Sequence, residues 1–162
     1  MAMSDRAFRA LATREPDVVV ATLRAVIPAI VGRQPRALSA DDLRPTRLDA
    51  LAPPLDLDWA GLQEEDDLLH VESQGYRDAR FLERLFRYHL WLVLQYPKRT
   101  VHTVALWLID PPVRDSLGVI ERGNVRVKVS AVIIPRVPAE ALLADPKSAC
   151  FAAGADRGTW SV

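Results

Sequence analysis

The chain has 162 residues, 49% of them hydrophobic and 26% charged, which suits one globular domain with a substantial core. Lys plus Arg and Asp plus Glu both total 21, so the net charge of zero excludes a uniformly basic nucleic-acid coat, although not a local basic patch. No apolar run approaches the roughly 20 residues that span a bilayer, MAMSDRAFRAL lacks a signal-peptide pattern, and the single Cys150 excludes an internal disulfide or a Cys-based zinc site. A cytoplasmic location without a membrane partner is the expectation.

In chain order, residues 4 to 31 read as helices. Ser4 is placed to cap DRAFRALAT, and Pro16 and Asp17 suit the first turn of PDVVVATLRAVIPAIV. Pro28 ends or kinks that segment, and Gly32 closes it. TRLDALA, 46 to 52, alternates weakly and predicts a strand carrying Asp49, whereas PPLDLDWAGLQEEDD reads as a long acidic loop. LLHVESQ, 68 to 74, predicts a strand with Leu69, Val71 and Ser73 on one face and Leu68, His70, Glu72 and Gln74 on the other.

YRDARFLERLFRYHLWLVLQY, 76 to 96, carries the strongest helical periodicity, and Pro97 ends it. TVHTVALWLI, 100 to 109, reads as a buried strand; VRVKVSAVII, 125 to 134, as another; and PAEALLA, 138 to 144, as a short helix. DPPVRDSLGVIERGN between the two strands is a loop with room for a short hairpin. A helix between strands 68–74 and 100–109 suits a parallel crossover. The expected fold is therefore α/β, a mixed sheet of about four or five strands flanked by helices. Residues 1–146 form its single domain, and the Ala/Gly-rich 147–162 is a loosely ordered tail.

Glu72 lies inside an apolar strand, and a buried charge is costly unless it is paired, hydrogen-bonded or metal-bound. Something should sit opposite it. If the strand holding Asp49 is a neighbour, the two carboxylates and the Gln74 amide suit a hard divalent cation. On the following helix Arg77, Arg80, Arg84 and Arg87, spaced by 3, 4 and 3, form one stripe with Tyr88 beside it, apt for phosphate. By itself such a stripe more often is a solvated face, paired here with Asp78 and Glu83. His70, His89 and His102 show no metal spacing, and Trp59, Trp91, Trp107 and Trp160 are too scattered for a base-stacking platform. No glycine-rich phosphate loop is present.

LLHVESQGYRDARFLERLFRYHLWLVLQYP resembles the Rpn recombination-promoting nuclease and putative transposase family of the PD-(D/E)XK phosphodiesterase superfamily, in Leu69, His70, Glu72, Gln74, Asp78, Arg84 and Tyr88. Weaker likenesses run in patches from about Ser4 to Pro146. The resemblance implies a restriction-endonuclease-like core and Mg²⁺-dependent DNA cleavage, with Mn²⁺ as a possible substitute. It implies Asp49 and Glu72 as metal ligands, helped by the Ser73 carbonyl, and Asp49, Glu72 and Gln74 as the catalytic set. Gln74 stands where most of the superfamily has Lys. Arg84 and Tyr88 would hold or order groups near the scissile phosphate, and the stripe of Arg77, Arg80, Arg84 and Arg87 is read separately, from its spacing, as a DNA-binding face. The 15 residues from Pro53 to Asp67 are more than a tight hairpin needs, so Asp56 or Asp58 competes with Asp49 as the first ligand. DNA is the expected partner, and a homodimer is an open expectation. The alternative is a non-catalytic relative that keeps the nuclease fold as an interaction or oligomerisation module.

Overall fold

The computed structural model describes residues 5–27, 36–37, 57–63, 67–112 and 118–156. Two helices open it, α1 (Asp5–Arg14) and α2 (Pro16–Val26). Pro16 starts α2, and Ile27, which precedes Pro28, turns out of the helix at ψ 58°. Then come strands β1 (Arg36–Ala37), β2 (Trp59–Leu62) and β3 (Asp67–Gln74), helix α3 (Phe81–Gln95), strands β4 (Thr100–Trp107), β5 (Val119–Arg122) and β6 (Val125–Ile133), and helix α4 (Ala139–Leu143). The strands form one mixed sheet in the order β1-β2-β3-β4-β6-β5, with two-residue β1 at one edge.

β3 is the pivot. It pairs antiparallel with β2 and parallel with β4, and α3 makes the crossover between β3 and β4. Neighbours on both edges and helices on both faces bury seven of its eight residues, so the polar His70, Glu72, Ser73 and Gln74 are buried along with Leu68, Leu69 and Val71. β4 also pairs parallel with β6, and β5 and β6 close as a hairpin through Gly123, whose φ of +56° suits glycine. Gly118 is more constrained still: at φ +68°, a Cβ there would stand 2.8 Å from the Val129 carbonyl oxygen.

The two faces of the sheet differ. On one, Leu69, Val71, Val104, Leu106 and Val132 pack under Phe8 of α1, Leu23 of α2 and Leu142 of α4. On the other, α3 closes two separate apolar clusters. Phe81 and Leu85 meet Ala105, Trp107 and Val127, and Leu92 meets Leu68 and Ala60. The buried polar residues His70, Glu72, Gln74 and Thr103 belong to neither cluster. A polar seam thus lies beneath α3 between two apolar plugs. No described helix is long and apolar enough to cross a membrane.

Three expectations need correcting. The stretch read as a long loop contains β2, the antiparallel partner of β3. α3 begins at Phe81 and not near residue 76, because the Asp78 carboxylate accepts the Arg80 N–H at 2.8 Å and the Asp78 carbonyl accepts the Phe81 N–H, a turn that launches the helix. Arg77 and Arg80 therefore precede α3, and the four-arginine stripe is reduced to Arg84 and Arg87. The segment from 147, expected as a loose tail, is docked as far as Asp156. A short 3-10 helix at Ala149–Gly154 buries Phe151 edge-on to Phe8, and Ser148 ties back to the Leu142 carbonyl at 2.5 Å. Asp49 and its predicted strand lie outside the described residues, as does Asp56.

Candidate functional site

The alternation of β3 sends His70, Glu72 and Gln74 to the α3 face and Ser73 to the other. All four are essentially without solvent exposure. The group opposite Glu72 is Asp58. It immediately precedes β2, one step beyond the Trp59↔Val71 pair, which sets it across from Glu72. Its backbone N–H donates to Glu72 Oε1 at 2.9 Å. Its carboxylate turns along the strand edge, where Oδ2 accepts the Ser73 N–H and the Ser73 hydroxyl, each at 2.7 Å, and Oδ1 accepts Arg9 Nε of α1 at 2.6 Å. Sequence reasoning weighed Asp58 as a candidate and missed Arg9, since nothing local to residue 9 signals a contact 49 positions away.

The two oxygens of Glu72 are unlike. Oε1 takes the Asp58 N–H and lies 3.3 Å from His70 Nε2. Among the described residues Oε2 has no hydrogen bond and stands 3.7 Å from Arg84 Nε, which also has none. That separation leaves an ion pair without a hydrogen bond. Burial pushes the Glu72 carboxyl above its ordinary pKa, His70 opposes the shift, and the charge of Asp58 adds to it.

Arg84 is the roof of the seam. Its NH1 donates to Asp78 Oδ2 at 2.7 Å, its NH2 to Gln74 Oε1 at 3.2 Å, and its plane lies over the Phe81 ring at 5.3 Å. Its side chain is 27% exposed whereas Glu72 beneath it is fully covered, so anything approaching Glu72 from this side meets the guanidinium first. Partial burial would raise the Asp78 pKa, but the Arg80 N–H and the Arg84 guanidinium outweigh it and hold the carboxyl below its usual range. Gln74 is pinned at both ends, its Nε2 donating to the Tyr76 carbonyl at 2.5 Å.

The remaining candidates divide by exposure. Arg77, Arg80 and Arg87 are exposed, and Arg87 reaches Glu83 only at 3.8 Å. Tyr88, expected near phosphate, is buried with its ring edge-on to His70 at 6.2 Å, so it supports the imidazole. His70, Thr103 and His89 are joined by hydrogen-bond contacts that no sequence spacing announced. Cys150 is an exposed residue whose thiol is pushed up by its partial burial.

No family model, curated protein or solved structure matches the chain. What the site can do is set by its geometry. Among the described residues no three His, Cys, Asp or Glu side chains group as a metal site. A magnesium ion typically needs only one or two carboxylates and keeps several waters. Glu72 Oε2 is a buried carboxylate oxygen that makes an ion pair with Arg84 but no hydrogen bond among the described residues, and the adjacent Asp58 carboxylate is held by Arg9 and by Ser73. The residues that could hold a hard divalent cation are Glu72 and Asp58, the latter by giving up its bonds to Arg9 and Ser73.

Proposed function

We propose that this chain is a magnesium-dependent DNA endonuclease of the recombination-promoting nuclease type, hydrolysing phosphodiester bonds at Glu72. The observation that carries this reading is Glu72 Oε2, buried on a central strand beside Asp58, facing a guanidinium and making no hydrogen bond among the described residues. The ion, when bound, supplies charge for the scissile phosphate oxygens and lowers the pKa of the attacking water. The chain supplies position and charge, on which phosphoryl transfer chiefly depends. Glu72 and Asp58 would hold the ion. Arg84, braced by Asp78, meets the phosphate where the seam opens to solvent. Gln74 brings no charge of its own, but its Oε1 accepts from Arg84, so the cation that Lys provides at the corresponding place in the resembled superfamily stands here on the neighbouring helix. A free lone pair on that same Oε1 can order the attacking water.

The surface outside the seam would carry DNA through Arg77, Arg80 and Arg87. With Arg84, four phosphate contacts give a log–log salt slope of about −3.6 for duplex binding, at roughly −0.9 per contact. Replacing Arg77, Arg80 and Arg87 with Gln is expected to flatten the slope by about 2.7, read by fluorescence anisotropy across a salt series. An unchanged slope would remove these residues from the interface.

A second reading is favoured by one observation. Every Asp58 carboxylate oxygen already accepts a short hydrogen bond, as it would in a nuclease fold kept as an interaction module. Plasmid nicking separates the two. Nicking with Mg²⁺ or Mn²⁺, lost in EDTA and in Glu72→Gln, is expected of the endonuclease; no nicking with either ion would leave the interaction module.

A further inference from the structure

We infer that Thr103 and His89 are positioning residues for Glu72, acting through His70 to fix which carboxylate oxygen faces the ligand. The inference rests on the reading of Glu72 as a metal-holding carboxylate. Its observations are three contacts in series. His70 Nε2 lies 3.3 Å from Glu72 Oε1, His70 Nδ1 lies 3.3 Å from Thr103 Oγ1, and His89 Nδ1 lies 2.8 Å from the same hydroxyl. The fold builds this chain from three elements. His70 and Thr103 are partners in the parallel β3–β4 ladder, and His89 follows Leu85 by one turn on α3, above them.

Proton counting sets the direction of every link. An ionised carboxylate only accepts, so His70 Nε2 must carry hydrogen towards Glu72. A neutral imidazole has one N–H, so His70 Nδ1 accepts, and the donor is the single Thr103 hydroxyl. That hydroxyl, its hydrogen committed, can only accept from His89, so His89 carries its hydrogen on Nδ1. The chain runs one way, from His89 through Thr103 and His70 to Glu72, and the two histidines are held in opposite tautomers. Were His70 doubly protonated, the Thr103 hydroxyl would point at His89 instead, and His89 would carry its hydrogen on Nε2.

The consequence is local to the carboxylate. Two donors, the Asp58 N–H and His70 Nε2–H, converge on Oε1 and hold its plane. Oε2 makes no hydrogen bond among the described residues and faces Arg84 Nε at 3.7 Å. Without the Thr103 hydroxyl, His70 is free to take the other tautomer. Its Nε2 lone pair would then face Oε1 and turn the carboxylate out of register. Groups in this supporting position commonly change metal affinity 10- to 100-fold.

The test pairs a proton readout with a metal readout. In the wild-type protein, ¹⁵N chemical shifts are expected to show His70 as the Nε2–H and His89 as the Nδ1–H tautomer. Thr103→Val is expected to mix the His70 tautomers and to weaken Mn²⁺ binding, followed by electron paramagnetic resonance of the free ion, by about 10-fold or more. Thr103→Ser, which keeps the hydroxyl, is expected to restore both. A wild-type His89 in the Nε2–H form would overturn the inference without any variant, and so would a folded Thr103→Val protein with unaltered Mn²⁺ affinity. Absence of Mn²⁺ binding in the wild type would sink the nuclease reading by itself, and the tautomers would still decide whether the chain exists as drawn.

Discussion

Asp58→Ala is expected to destabilise the protein by about 2–6 kcal/mol, at roughly 1–3 kcal/mol for each of two buried donors left without an acceptor. The donors are the Ser73 N–H and the Ser73 hydroxyl, both bound to Asp58 Oδ2 and both in a residue that is 1% exposed. Neither has water to turn to. The Arg9 link adds little, because its side chain is 41% exposed and rehydrates when its partner is removed. Asp58→Asn keeps one acceptor oxygen for Ser73 and swaps the other for an amide that faces Arg9. Its cost should be the smaller, about 1 kcal/mol. Urea unfolding of the two variants reads the difference. An Asp58→Ala protein as stable as the wild type would show that the clamp on Ser73 is not part of what holds β2 against β3.

Glu72→Gln is expected to separate stability from function. The Glu72 carboxyl has its pKa raised in the fold by burial, so the folded state disfavours its charge. The sign follows from linkage. Below the unfolded-state pKa both states hold the proton, and nothing is lost. As pH rises through the raised folded pKa, the fold must ionise a carboxyl that the unfolded chain ionises more readily, and stability falls. Glutamine has no such loss. The variant should therefore match the wild type in acid and equal or exceed it near neutrality. Arg84 is not stranded by the change, because Asp78 holds it at 2.7 Å. Asp78 itself titrates in the opposite sense, its contribution present above the unfolded-state value and lost as pH falls through the lowered folded one, but it is common to both proteins and cancels. With Mg²⁺ at 100 times its dissociation constant the wild type should gain about 2.7 kcal/mol and the variant nothing. A loss of about 3–5 kcal/mol in the metal-free variant would instead mark Glu72 as the structural partner of a buried cation.

The β3–α3–β4 unit was legible because each of its segments carries one clear period. Leu68 to Gln74 alternates its faces, Phe81, Leu85 and Leu92 recur at helical spacing, and Val101 to Trp107 is rich in β-branched and apolar residues. The side-chain faces of β3 read from that alternation are those found beneath α3. β2 was hidden for a physical reason. It is four residues long and covered on both faces, so it has no alternation, and Gly61 and the acidic residues around it read as loop. Missing β2 left Asp58 as one of three rival carboxylates. The arginine stripe assumed a helix running from residue 76, and the Asp78 turn broke it. Phe151 shows how composition misleads, since one aromatic among alanines was enough to dock a segment read as a tail. Arg9 with Asp58, and His89 with Thr103, join elements far apart in the chain, and no local pattern encodes such meetings.

The most direct measurement is the anomalous difference density of a crystal soaked in Mn²⁺. One peak is expected within about 2.0–2.6 Å of Glu72 Oε2, with the Asp58 carboxylate turned towards it and released from Arg9. Density with no peak at Glu72, and Asp58 still bound to Arg9 and Ser73, would contradict a metal-dependent nuclease site on β3.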